Sequence, residues 1–338
     1  MPTDSEPRDG GVSVRAFEAT DEPRVLEVLQ AAFGKWPRGV DGVSASEFFR
    51  WKHTGSPFGA SALLVAVADG TVVGTQAYMP WKIRAGERLF STRRRVDLAV
   101  HPDFRRRGVS MAIRAAASFP DDVAFTWTNP NDQSRPGTGK AGLTSLERFP
   151  RFIQLRGPRS AVRWASRKRS RSSERPPLEA ETAAKALADD ALQPLLRSCA
   201  SELDDRLATV KDLAYLRWRY GHFDEYRAVA SDTGEGVGGL AIFRLGLHRG
   251  LWVLQVCELF VARDDHRTAR RLLRQVRGAA QADFLSATFA SRTDAAVCGF
   301  MQFPGESGLM TYALHENLVP DPTARESWAM SVGDLELL

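Results

Sequence analysis

The chain of 338 residues has three cysteines, Cys199, Cys257 and Cys298, too few and too scattered for a disulfide framework or a zinc site. No apolar run approaches the length of a membrane span, which excludes a spanning helix. The first eleven residues are polar and acidic rather than leader-like and read as disordered, so the cytoplasm is the expected compartment. No serine, cysteine or metal-ligand constellation has motif-like spacing, and no metal is expected. A net charge of +5 and a pI of 9.3 suit an anionic cofactor or substrate, and also leave RNA open.

What is present centres on Arg95 to Ala117. Val96, Leu98 and Val100 alternate with Asp97 and Ala99, the period of a strand. Pro102 and Asp103 end it, and Arg105-Arg106-Arg107-Gly108-Val109-Ser110 follows. Val109, Ala112, Ile113, Ala116 and Ala117 then recur at helical spacing until Pro120. A strand, a basic glycine-bearing loop and a helix form an anion site, because the first helical N–H groups lack internal partners and glycine permits close approach. A solvated surface turn has the same local pattern, so other segments must support the reading.

Around this centre, Val12–Phe17 reads as a strand, and Asp21-Glu22-Pro23 starts a helix carrying Val25, Leu26, Leu29 and Phe33. Gly34 to Gly42 is a loop, and Ser46 is a candidate cap for a helix with Phe48, Phe49 and Trp51. Leu63–Val67, Asp69-Gly70 and Val72–Met79 make a hairpin with a tight type I′ turn. Val123–Thr128 is a further strand, and Leu143–Leu155 finishes this half with strand structure. The order is β-α-α-β-β-β-α-β-α-β.

The loop resembles the coenzyme A signature of the GCN5-related N-acetyltransferases, with Arg105, Gly108 and Ser110 at its three positions. A second segment of that family matches at Asn131, Ser134, Lys140, Gly142 and Leu143. The resemblance implies a twisted mixed α/β sheet flanked by helices and an acyl-CoA co-substrate, with acetyl-CoA expected. It implies that Leu98, Ala99 and Val100 bind the pantetheine arm. Arg105, Arg106, Arg107, Gly108, Val109 and Ser110 would hold the diphosphate, and Asn131 would touch the pantetheine. The family's proton-donating tyrosine falls at Thr138, a much weaker acid.

For the chemistry, Asp97 is the first candidate base, with a structural acid paired to an arginine such as Arg94 as the alternative. His53 has a suitable ordinary pKa but also reads as a plain loop histidine. Tyr78 either lines the acceptor pocket, replaces the missing tyrosine or sits in the core.

The second half repeats the first in outline. Phe48–His53 aligns with Tyr215–Tyr220, Val96–Val100 with Cys257–Val261, and Ala141–Leu143 with Cys298–Phe300. Ala262–Ala269 has no glycine where Gly108 sits, and Asp264 and Asp265 would repel a diphosphate, so this copy is expected to be silent. The expected organisation is a disordered segment 1–11, an acyl-CoA domain 12–155, a linker 156–178 and a degenerate copy 179–338. Residues 156–175 carry eight basic residues and one acidic one, a solvated linker or a basic arm. The layout is similar to double-domain acetyltransferases. The expected activity is acyl transfer to an amine of a small metabolite, aminosugar or peptide, and the Ala- and Arg-rich composition suggests a high-GC bacterial source. Two alternatives stay open: an aminoacyl-tRNA-dependent transferase of this fold, and an acyl-CoA-binding scaffold without turnover. Nothing in the sequence indicates the oligomeric state.

Overall fold

Asp69 and Gly70 take φ of +48° and +73°, as a type I′ turn requires, and join β2 (Ala62–Ala68) to β3 (Thr71–Ala85). The computed structural model of the chain describes residues 11–335, apart from 38, 131–133, 159, 161, 163–173, 233, 235, 290, 306 and 307. The expectations for the N-terminal segment, for most of the basic linker and for Asn131 therefore lie outside the described residues.

β1 (Ser13–Ala16) leads through α1 (Glu22–Phe33) and α2 (Ala45–His53) to that hairpin. Pro23 starts α1, and Gly34 ends it at φ +77°. Ser44, not Ser46, caps α2, accepting from the Glu47 N–H at 3.1 Å, while Ser46 hydrogen-bonds Glu22. β3 turns into β4 (Arg88–Val100), which runs into α3 (Val109–Ala115), β5 (Val123–Thr128), α4 (Arg135–Lys140) and β6 (Thr144–Ser145). The predicted order of elements is the observed one.

The next strand departs from expectation. β7 (Arg151–Leu155) does not join the sheet of the strands before it. After it come β8 (Glu181–Thr182), α5 (Ala183–Ala186), α6 (Gln193–Ser201), β9 (Ala208–Thr209), α7 (Leu213–Tyr220), β10 (Tyr226–Asp232), β11 (Val237–His248) and β12 (Leu251–Val261). The chain closes with α8 (His266–Gly278), β13 (Phe284–Ala287), α9 (Arg292–Val297), β14 (Met301–Phe303), β15 (Met310–Ala313) and α10 (Val332–Leu335). One sheet is ordered β1-β2-β3-β4-β5-β15-β6, with β9 on the far end of β3. The other is ordered β14-β7-β13-β12-β11-β10-β8. Each half thus lends a strand to the other: β7 pairs with β13 and β14, and β15 pairs with β5 and β6. A boundary at residue 155 consequently cuts through both sheets. Pairing is antiparallel except for β4 with β5 and β12 with β13.

A continuous core crosses the two halves. Trp51 on α2 and Trp218 on α7 stack at 5.2 Å between centroids. Each indole N–H donates to the other residue's carbonyl, at 2.9 and 3.0 Å. The aligned stretches Phe48–His53 and Tyr215–Tyr220 therefore meet each other as mirrored helices. The C-terminal α10 is buried in the same region. A Cβ on Gly333 would stand 1.9 Å from the Tyr220 hydroxyl, so only glycine fits there.

Candidate active site

β4 and β5 are paired from Ser91↔Val123 to Arg94↔Trp127 and part beyond that. Val96 to Val100 keep β3 on one side and are not paired to β5 on the other, which leaves that edge of the strand unpaired at Leu98–Val100. The strand then enters the arginine-rich loop. Arg105, Arg106, Arg107 and Gly108 are exposed. Arg106 and Gly108 both have positive φ, +65° and +79°. Among the described residues no acceptor meets the N–H groups of Arg106 through Ser110, whereas Met111 and Ala112 bond back to the Gly108 carbonyl. A Cβ on Gly108 would meet nothing within 4 Å, so the loop is open in front of it. Alternating left- and right-handed residues that point successive N–H groups one way make a concavity for an anion. Arg105 also reaches back to the Ala32 carbonyl at 3.2 Å, which ties the loop to α1.

The second half has the same splay with a different end. β12 and β13 are paired from Val253↔Phe284 to Gln255↔Ser286, and a cleft of about 1090 Å³ opens along Glu258–Val261. There the carboxylate of Asp265 accepts from the Thr268 N–H at 3.0 Å and caps α8 itself. Asp264, His266 and Asp294 gather beside it. The helix start is supplied with its own negative charge.

The structure brings two of the three predicted catalytic side chains together. The Asp97 carboxylate takes Lys52 Nζ at 2.8–2.9 Å and His53 Nε2 at 3.1 Å. His53 Nδ1 is 3.1 Å from the Ser61 hydroxyl. Burial would raise the Asp97 carboxyl, but the Lys52 charge and the His53 hydrogen bond outweigh it and hold it well below the usual carboxylate range. Burial pushes His53 down, so the ring is neutral at pH 7. Both oxygens of Asp97 are engaged, and His53 is 1% exposed. The partner of Asp97 is Lys52 and not Arg94. Arg94 is fully buried, its guanidinium 5.1 Å from the Trp81 ring and 4.5 Å from that of Trp127, and it donates to Asn129.

Tyr78 stands apart from this pair. Its hydroxyl donates to Gln76 at 3.1 Å, its ring meets Phe119, and burial raises its pKa. Thr138 is buried, donates to the Ser134 carbonyl at 2.9 Å and accepts from Arg114. Sequence reasoning missed Tyr312. β15 carries it opposite Thr126, with its ring 3.6 Å from where a Gly142 Cβ would stand. No local pattern announces it, because its strand comes from the far end of the chain.

The first sheet thus loses its β4–β5 pairing beyond Arg94, and an open basic loop follows β4. Residues 13–117 match the family model of an acetyltransferase (GNAT) domain. Nine-tenths of the chain is similar in fold to solved proteins, three of which follow. One, from Enterococcus faecalis V583, is described as a probable N-acyltransferase (TM-score 0.62, 13% identity, 90% of this chain and 73% of that one). The others are GCN5-related N-acetyltransferases from Kribbella flavida (0.59, 18%, 90% and 71%) and Anabaena variabilis (0.60, 11%, 90% and 73%). No curated protein matches the chain in sequence.

Proposed function

We propose that the chain is an acyl-CoA-dependent N-acyltransferase with one donor site, in the first half, and that acetyl-CoA is the donor. The observation that carries this is the junction of an unpaired strand edge, Leu98–Val100, with a loop of five free N–H groups and three arginines. An extended amide chain fits the first and a diphosphate the second. The capped start of α8 accounts for a single site. An amine of a small metabolite, aminosugar or peptide is the acceptor class. Tyr78 and Tyr312 are the candidate proton donors to the leaving thiolate, since an alcohol such as Thr138 is a much weaker acid than a phenol.

Calorimetry with coenzyme A and acetyl-CoA tests the reading. Wild type should bind one equivalent of each, and Gly108→Glu should bind neither, because a carboxylate then occupies the concavity. Equal binding by both proteins, or two equivalents per chain, would contradict it. With a working acceptor, Tyr78→Phe or Tyr312→Phe should lower kcat by about 10²-fold if that phenol is the acid. A loss in neither variant removes both from the role.

A further inference from the structure

The register of β3 against β4 passes from Thr75↔Ala99 to Ala77↔Val96. Two β4 residues, Asp97 and Leu98, therefore oppose the single β3 residue Gln76, a β-bulge. Asp97 sits in it at φ +51°, a left-handed conformation that side-chain-bearing residues seldom adopt. The bulge lies between the last residue paired to β5 and the free edge of Leu98–Val100, so its shape sets where that edge points. What holds it is the Asp97 carboxylate, gripped by two consecutive residues at the end of α2, Lys52 and His53. Residue 51 of that helix is the tryptophan that exchanges hydrogen bonds with Trp218 of the other half.

The second half carries the same construction. β12 has one extra residue, Cys257, between the pairs Ile242↔Glu258 and Phe243↔Val256. Glu258 there accepts from the hydroxyl of Tyr220, the last residue of α7, at 2.7 Å, and from Lys211 at 2.8 Å. An acid beside a bulge, held by the end of a helix, thus occurs in both halves, but only in the first does the strand lead to an open loop.

We infer that Asp97, Lys52 and His53 are positioning residues, a clamp through which α2 sets the free edge of β4 for the acyl-pantetheine arm, and that the second half steadies the clamp through Trp218. The inference deepens the acyl-CoA reading and rests on it. The clamp touches the strand and not the loop, so its loss should weaken contacts of the acyl arm and spare those of the diphosphate.

The test uses the full chain and two ligands: acetyl-CoA, and the adenosine 3′-phosphate 5′-diphosphate fragment, which lacks the arm. In Asp97→Asn and Lys52→Met the Kd of acetyl-CoA should rise about tenfold, while that of the fragment stays within about twofold. Lys52→Arg, which keeps the cation, should restore acetyl-CoA binding. Trp218→Phe, which removes one donor of the exchanged pair, should give a smaller rise of the same kind. Amide exchange at 98–100 in the unliganded protein should quicken in Asp97→Asn, and the loop amides should not change. Asp97→Gly accepts φ +51° without strain but has no carboxylate. If it binds acetyl-CoA as wild type does, the backbone alone suffices and the clamp is overturned. Equal weakening for both ligands in every variant also overturns it, since that marks a general loss of structure. A wild type that binds neither ligand overturns the acyl-CoA reading and the clamp together. A wild type that binds both, with variants that match it, overturns the clamp alone.

Discussion

At the residue scale, the buried ionisable groups tie stability to pH. His53 has its folded pKa lowered by burial, so between its ordinary value of 6.5 and that lower value the unfolded chain binds more protons than the native one. Stability therefore falls as pH drops below 6.5. The lowered Asp97 pKa acts in the same direction further down: its contribution is present above the unfolded value of 3.8 and is lost as pH falls through the folded one. The melting temperature of wild type should thus decline from pH 7 to pH 5. His53→Gln, which keeps a hydrogen-bonding side chain without the titration, should show a flatter decline. Equal slopes would mean that His53 does not govern the acid limb. The contacts of Asp97 could not be read from strand position alone, because alternation states which face a side chain leaves from and not which charges wait there.

Helix α3 packs on β3 through an element-scale device that recurs with α8 on β11. A Cβ on Gly74 would come within 2.9 Å of Val109 and 3.1 Å of Ile113, both on α3. A Cβ on Gly239 would come within 2.7 Å of Thr268 and 3.0 Å of Leu272, both on α8. Each glycine pairs with the residue that ends the donor-type strand, Gly74↔Val100 and Gly239↔Val261. The missing side chain lets the helix after the loop settle on the sheet. Gly74→Val should therefore overpack this contact and lower stability by about 1–3 kcal/mol in denaturant unfolding. Gly108→Ala should cost about 1–2 kcal/mol for its positive φ alone, since nothing crowds that position. A Gly74→Val protein as stable as wild type would show that α3 shifts freely.

The halves are built into one molecule by exchanged strands. β15 completes the first sheet beside β5, and β7 lies between β13 and β14 in the second. A fragment of residues 12–155 would keep β7 with no sheet to join and leave the edge of β5 bare, an invitation to aggregate. It should fail to show cooperative unfolding, and co-expression with residues 156–338 should restore a folded complex. A cooperative, monomeric fragment would instead mark the first half as autonomous. Trp51 and Trp218 add a second joint at the centre of the shared core, so damage there should be felt in both halves.

Much of this protein is local and was legible in the sequence. The Asp69-Gly70 turn, the alternation of Val96–Val100, the glycine-bearing loop and the helical spacing after it follow from backbone sterics and burial period, which neighbouring residues set among themselves. The repeat of Phe48–His53 at Tyr215–Tyr220 was visible for the same reason, as a pattern of apolar spacing. The silence expected of the second loop rested on Asp264 and Asp265, and in the tertiary structure the Asp265 carboxylate accepts from the Thr268 N–H of the helix that follows. Strand partnership was not legible: Arg151–Leu155 and Met310–Ala313 are short apolar runs that fit either sheet, and only the assembled core selects one. Nor was the fate of Asp97, whose partners lie 44 and 45 residues away on α2. Short-range sterics decide elements and turns within a few residues. Pairing, burial of charge and the exchange of strands depend on contacts between distant segments, and those exist only once the chain has closed on itself.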